Sequence, residues 1–421
     1  YETSSTGTPE RFLARTLLRV DGWITPERLR LYPLFFIVAS ALGVAISSVV
    51  RVAAPGIQGA WMPDYLAHWT GGKLLLLPGS GNLYDPEVQH ELQGALLGVD
   101  PALSWFVSPP VVALFYAPLA LLPYTISGLV WMLLSTAMLV WSTLDLRVLA
   151  PRLMARKKRV VVLAVLASPV VFELLGGGQD SAFILAVWLV GIRLLISQHF
   201  VWAGAVLGLG LAKPQLVVIV PLVFLVTRNY KALASFAVVG ALLTSVSVAV
   251  AGIGSFQQWL TALSSPLYML QVQHGQAWKM LGLPSFVQAF LPPAWEAWLG
   301  PLLTVWPLPV GASILIFHVL RARKNQVDTS AVWVATLATT LVFSPHLATY
   351  DGILFVPVIV YLLERRPTAL VRVSAAAAFG LIYLSPALHL VAAGLPWPLT
   401  IVEASWAALP LAVIWVEALR N

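Results

Sequence analysis

Solid blocks of Leu, Val and Ala recur along the whole chain, broken by short polar stretches. They do not alternate between apolar and polar positions, which excludes the strands of a membrane barrel. Helices are the remaining way for a backbone to satisfy its hydrogen bonds inside lipid. A block of about 20 residues, rising roughly 1.5 Å per residue, covers a hydrocarbon core of about 30 Å. The pattern therefore predicts an all-α polytopic membrane protein.

The first block runs from Leu31 to Val50, and residues 51–105 after it are of mixed polarity. "FVSPPVVALFYAPLALLP" and "GLVWMLLSTAMLVW" follow, divided at Pro123-Tyr124. "VVVLAVLASPVVFELLGGGQ", "SAFILAVWLVGIRLLI", a segment from Val201 to Thr227 interrupted at Lys213-Pro214, and Ala232 to Ala251 come next. A second polar loop covers 252–298, and further blocks lie near 299–319, 330–345, 352–363, 369–392 and 398–416. That reading gives about 12 transmembrane helices in one domain over 31–421, with interfacial helices in the two long loops.

Charge then orients the chain. Arg228 with Lys231, Arg321 to Lys324, Arg365 and Arg366 with Arg372, and Arg420 fall on one side by parity. The positive-inside rule makes that side cytoplasmic and puts 51–105, 252–298 and 346–351 outside. Residues 1–30, with Arg11, Arg15, Arg19, Arg28 and Arg30, read as a cytoplasmic basic tail on anionic lipid, without a cleavable signal pattern. One conflict stands. If 106–122 and 126–142 both cross, Arg152 to Arg159 land outside. Either one of that pair is re-entrant, or Lys213-Pro214 merely kinks a single span and the cluster is an exception.

Composition agrees with the membrane reading: 59% hydrophobic, 10% charged, mean hydropathy +0.85. The net charge of +7 sits in short clusters between apolar blocks, with no continuous basic patch interleaved with aromatics, so nucleic acid is not an expected partner. No cysteine is present, which excludes disulfides and thiolate metal sites. Walker, HExxH and GxSxG motifs are absent.

Against so apolar a background, ionisable residues near span ends are the candidates for chemistry. Asp64 and His68 lie four apart and share one face of a helix just after the first block. Asp64 is either a base tuned by its low-dielectric surroundings or a helix cap after Pro63. His346 in "SPHLATYD" is either a packed polar residue or part of a trio with Tyr350 and Asp351 facing one cavity. Lys213 is either a snorkelling cation at a helix break or a partner for an anionic ligand. Arg51 and Lys73 flank Asp64 and have the same two readings. Gln179 follows three glycines, and Asp180 after it suits a helix cap. In "YMLQVQHGQAWKMLG", His274 and Gln276 with Trp278 and Lys279 suit either a carbohydrate lid or an interfacial anchor.

The order of these pieces carries a resemblance: Asp64, then "LYDP", then "PP" before "APLALLP", then "GGGQDSAFILAVWLV", "WAGAVLGLGLAKPQ" and "SPHLATYDGILFVPVIV". Together they resemble the polyprenol-phosphate-dependent enzymes of the GT-C superfamily, in particular glycosyltransferase family 87, which includes mycobacterial mannosyltransferases. The resemblance implies an enzyme of the bacterial plasma membrane that works on the outer, periplasmic face. It would move a hexose, with mannose the expected one, from a polyprenyl-phosphate-sugar donor to a lipid or glycan acceptor. Asp64 matches the catalytic base and His346 the residue after Ser-Pro that meets donor phosphate or orients the acceptor. Lys213, Tyr350, Asp351, His68, Lys73, Arg51, Gln179, His274 and Gln276 are expected to bind substrate. Since Tyr65 and Leu66, not a second carboxylate, follow Asp64, no metal or other cofactor is expected. Two other classes are weighed against this reading: a transporter of lipid-linked substrates and a non-catalytic subunit of a membrane complex.

Overall fold

The computed structural model describes residues 9–54, 60–77, 83–324, 328–392 and 394–420. Among these the chain is all helical, apart from one isolated bridge between Met280 and Ala348. A short helix α1 (Pro9–Asp21) precedes the long α2 (Pro26–Ala53), which starts on an N1 proline behind the cap Thr25. The helix thus begins before Arg28 and Arg30, ahead of the apolar block itself. Leu34, Phe35, Val38, Leu42, Ile46 and Val49 of α2 are exposed, an apolar surface suited to lipid.

Helix α3 (Pro63–Leu76) follows, then α4 (Pro86–Leu97), capped by the Asp85 carboxylate, which accepts from the amides of Glu87 and Val88. The segment 106–122 does not cross: it holds only α5 (Pro110–Tyr116) and a 3-10 turn at Leu119–Leu121, cut short by prolines 109, 110, 118 and 123. Helix α6 (Tyr124–Asp145) is the next full-length span. α7 (Pro151–Leu166) and α8 (Pro169–Gly177) form a pair bent by 55°, and α9 (Ser181–Ile196) returns.

Ion pairs fix which helix ends lie together. Arg193 reaches Asp145 at 3.0 Å, Arg152 reaches Glu364 at 2.7 Å, and Arg365 reaches Asp328 at 2.6 Å. Arg372 pairs with Asp21, and Arg323 donates to the Val226 carbonyl at 2.6 Å. These contacts gather the basic clusters, Arg152 to Arg159 included, at one end of the bundle. The sequence conflict is resolved by α5, which turns back where a span was expected.

Two hairpins start from that basic end and stop short. The first rises through α10 (Phe200–Leu209), breaks at Lys213-Pro214 and descends through α11 (Val220–Val226). Each arm is about 20 Å long at roughly 1.5 Å per residue, less than a bilayer core. Lys213-Pro214 is therefore the apex of a hairpin and not a kink in one span. α12 (Tyr230–Ala251) follows as a full-length helix, and after the second loop the apolar stretch Trp298–Arg323 does the same. The second hairpin rises through α13 (Thr329–Val342), turns through 344–354 and descends through α14 (Phe355–Arg365). α15 (Ala369–Ala392) and α16 (Ala408–Leu419) complete the chain.

Among the described residues, five helices are long and apolar enough to cross a membrane, or six if the bent pair is one span. The expected count near 12 is not reached by length, since the arms of the hairpins and α9 and α16 are shorter apolar helices. Helix α13 is buried from Ser330 to Val342, which explains its all-round apolar sequence.

Candidate active site

At the end of the bundle opposite the basic clusters is a cavity of about 1140 Å³. Its first wall is α3. Met62 in a left-handed conformation and Pro63 at N1 start this helix sharply, putting Asp64 in its first turn. Asp64 does not cap the helix. It lines the cavity with His68, one turn on, as the four-residue spacing predicts. The other face buries Tyr65 and Trp69 among Tyr116, Tyr124 and Trp131. Gly71 and Gly72 permit this approach, since a Cβ on either would lie within 3 Å of Phe106 or the Tyr116 backbone.

The "GGGQ" run supplies the facing wall. A Cβ on Gly177 would sit 2.5 Å from Asp64 Oδ2, so only glycine leaves room for the carboxylate. Gly178, at φ +77°, ends α8 in the left-handed region and donates no bulk against Tyr65. Its carbonyl accepts from the Trp131 indole at 2.9 Å. This turn brings Gln179 to Asp64, to which it hydrogen-bonds. Loss of bulk water pushes the Asp64 pKa up, and the Gln179 hydrogen bond and the positive charge of Lys279 offset part of that rise.

The hairpin apices form the floor. Lys213 Nζ lies 2.7 Å from Asp180 Oδ1, 3.0 Å from Asp351 Oδ1 and 3.4 Å from Ser181 Oγ. Ser181 also donates to Asp351 at 2.6 Å. Asp180 stands at the N-cap position of α9 yet makes no capping bond; its carboxylate faces Lys213 and, at 3.8 Å, the His68 ring. The ring of His68 also packs against Tyr116 at 4.6 Å. Tyr350 lies beneath the Lys213 ammonium, 4.9 Å from ring centroid to nitrogen.

The two long loops meet over the opening. Trp105 donates to Gln271 at 2.8 Å and Trp259 to the Val107 carbonyl at 2.7 Å. The second loop is also tied to the α13–α14 turn: Leu281 donates to the Leu347 carbonyl at 2.7 Å and Thr349 to that of Lys279 at 2.9 Å.

Asp64, His68, Arg51, Gln179, Lys213, Gln276, His346, Tyr350 and Asp351 all line this one cavity, as the sequence reading brought them together. Lys73 does not: it sits three turns along α3, with its ammonium 5.8 Å from the Trp69 ring. The side chain of His274 lies outside the described residues. Glu173, paired with Lys279 at 3.5 Å, is a lining residue that sequence reasoning passed over. A lone acid in "SPVVFELLGGGQ" was the signal that points to it. Among the described residues, no group of three or more His, Asp or Glu is disposed to hold a metal.

Such a cavity, with a held carboxylate, several hydroxyl-binding side chains and buried charge, suits transfer to or from a polar group. The model of glycosyltransferase family 87 matches residues 106–345, more than half of the chain. The chain belongs to glycosyltransferase family 87. It is thereby a transferase, which sets aside the transporter and silent-subunit readings. No curated protein and no solved structure matches it. In this family 87 glycosyltransferase the matched segment contains Gln179, Lys213 and Gln276. Asp64 precedes it, and His346 is the first residue beyond it. Both line the cavity from outside the matched segment.

Proposed function

We propose that this glycosyltransferase is a GT-C-type membrane enzyme that moves a hexose, mannose in the favoured reading, from a polyprenyl phosphate to a lipid or glycan hydroxyl. The observation that carries the reading is the Asp64 carboxylate, held by Gln179 beside Gly177 in a cavity opposite every basic cluster. The positive-inside rule puts those clusters in the cytoplasm and the cavity on the outer, periplasmic face of a bacterial plasma membrane.

In the proposed step the acceptor oxygen bonds to the anomeric carbon while the bond from that carbon to the phosphate oxygen breaks. The hydroxyl proton passes to Asp64, and the electron pair leaves with the lipid phosphate. A raised pKa suits Asp64 to accept that proton near neutral pH. Tyr350, Gln276 and His346 line the same cavity; in this reading the first two bind sugar or acceptor hydroxyls and His346 orients the acceptor. Charge on the leaving phosphate is met by protein cations without a metal.

The experiment is direct. Purified protein receives a radiolabelled polyprenyl-phosphate mannose and a total lipid extract, and products are separated by chromatography. Label in a new glycolipid or glycan supports the reading. Donor left intact with every acceptor fraction, or use of a nucleotide sugar in its place, contradicts it.

A further inference from the structure

Lys213 looks from the sequence like the cation for the donor phosphate, but its surroundings argue otherwise. An ammonium has three N–H bonds, and three oxygens, from Asp180, Asp351 and Ser181, already surround Nζ. Two carboxylates against one ammonium leave the cluster negative overall. Its side chains are 12%, 7% and 1% exposed for Lys213, Asp180 and Asp351, so water does little to screen that charge. A phosphate brought to it would be repelled.

The cavity has another cation in a different state. Lys279 Nζ stands 3.5 Å from a single carboxylate, that of Glu173, and 5.1 Å from the Trp278 ring. Both partners are partly exposed, so the pair is loosely held and can be exchanged. Its position is as telling as its state. Beside the main cavity lies a smaller, mostly apolar crevice of about 270 Å³, between α2 and α15. Gly43, Val44, Phe172 and Glu173 line both spaces, so the two adjoin at Glu173, the partner of Lys279. Trp278 and Ile382 wall the crevice, and α2 contributes Ser40, Gly43 and Val44 to it, on the side of the helix away from its exposed apolar face.

We propose that Lys279 is the donor-phosphate residue, leaving Glu173 to bind it, and that the crevice takes the first isoprene units of the same lipid. This rests on the polyprenyl-phosphate reading above and deepens it. An isoprenoid phosphate has one charged head and one apolar chain, and the junction offers a cation on one side and a mostly apolar crevice between two long apolar helices on the other. The charge on phosphate rises as the sugar leaves, so a mobile ammonium there stabilises the departing group more than the bound donor.

The test uses full-length enzyme in detergent with polyprenyl-phosphate mannose as donor and polyprenyl phosphate as product inhibitor. Lys279→Met is expected to raise donor KM and inhibitor Ki by about tenfold or more, the scale of one charged hydrogen bond. Lys279→Arg is expected to restore most of both. Gly43 has open space where a Cβ would go, so Gly43→Leu is tolerated sterically and narrows the crevice. It is expected to raise KM for a long-chain donor severalfold more than for a ten-carbon one. Wild-type turnover with unchanged KM and Ki in Lys279→Met would overturn the phosphate assignment. Equal effects of Gly43→Leu on both donors would overturn the crevice. Failure of the wild type to use the donor at all would instead sink the function it rests on.

Discussion

Lys213 and Asp351, 138 residues apart in sequence, meet at 3.0 Å across the apices of two helical hairpins that begin at the same end of the bundle. Asp180, at the start of α9, closes the cluster from a third direction. The cluster therefore holds the cavity floor in register. Removing its one cation leaves two buried carboxylates facing each other, a loss of about 3–5 kcal/mol. Lys213→Met is expected to lower the thermal unfolding temperature in detergent markedly. An unchanged transition would mean that the hairpins are held by apolar packing alone.

Gly177 is expected to be a positioning residue. Gly177→Ala puts a methyl group where Asp64 Oδ2 now lies, so the carboxylate must move. A displacement near 1 Å costs about a hundredfold when a reacting group must be aligned. The expected result is a fall in kcat with little change in donor KM. A normal kcat would show that the exact place of Asp64 is immaterial.

The hairpin at Lys213-Pro214 makes a topological claim that labelling reads directly. The chain has no cysteine, so single substitutions report cleanly. Ser197→Cys and Asn229→Cys flank the hairpin and are expected to react with an impermeant maleimide from the same side. Ser264→Cys, in the second loop, is expected to react from the other. Opposite labelling of 197 and 229 would restore the single kinked span.

pH dependence follows from the Asp64 environment. A base works only when ionised, and a raised pKa moves the acidic limb of kcat/KM above the ordinary carboxylate range near 4. Lys279 lowers that pKa and Glu173 raises it, so Lys279→Met should move the limb to higher pH and Glu173→Gln to lower pH. Shifts in the reverse directions, read from pH–rate profiles, would remove Asp64 as the group that titrates.

The parts of the site within one turn of chain were legible in the sequence. Asp64 and His68 do face one cavity, because helical spacing sets which neighbours share a face, while His346, Tyr350 and Asp351 reach it together because all three sit in the turn between α13 and α14. Pairings across the fold were not legible. Asp180 reads as a helix cap, since an acid before an apolar helix suits that role, but its partner is Lys213, brought there by a hairpin. Lys-Pro breaks a helix equally well in a kink and in a turn, so local sequence cannot tell them apart. Lys73 is near Asp64 in sequence, yet α3 carries it away from the cavity lining. The segment 106–122 has the composition of a span, but prolines 109, 110, 118 and 123 in and beside it limit α5 to about two turns.

The role of Asp64 is tested most directly by one substitution. Asp64→Asn keeps the size of the side chain and an acceptor for Gln179 but cannot take a proton. Measured as transfer from polyprenyl-phosphate mannose at saturating acceptor, with folding checked by thermal unfolding, its turnover is expected to fall at least about a hundredfold. Near-normal transfer by a folded Asp64→Asn enzyme would contradict the account.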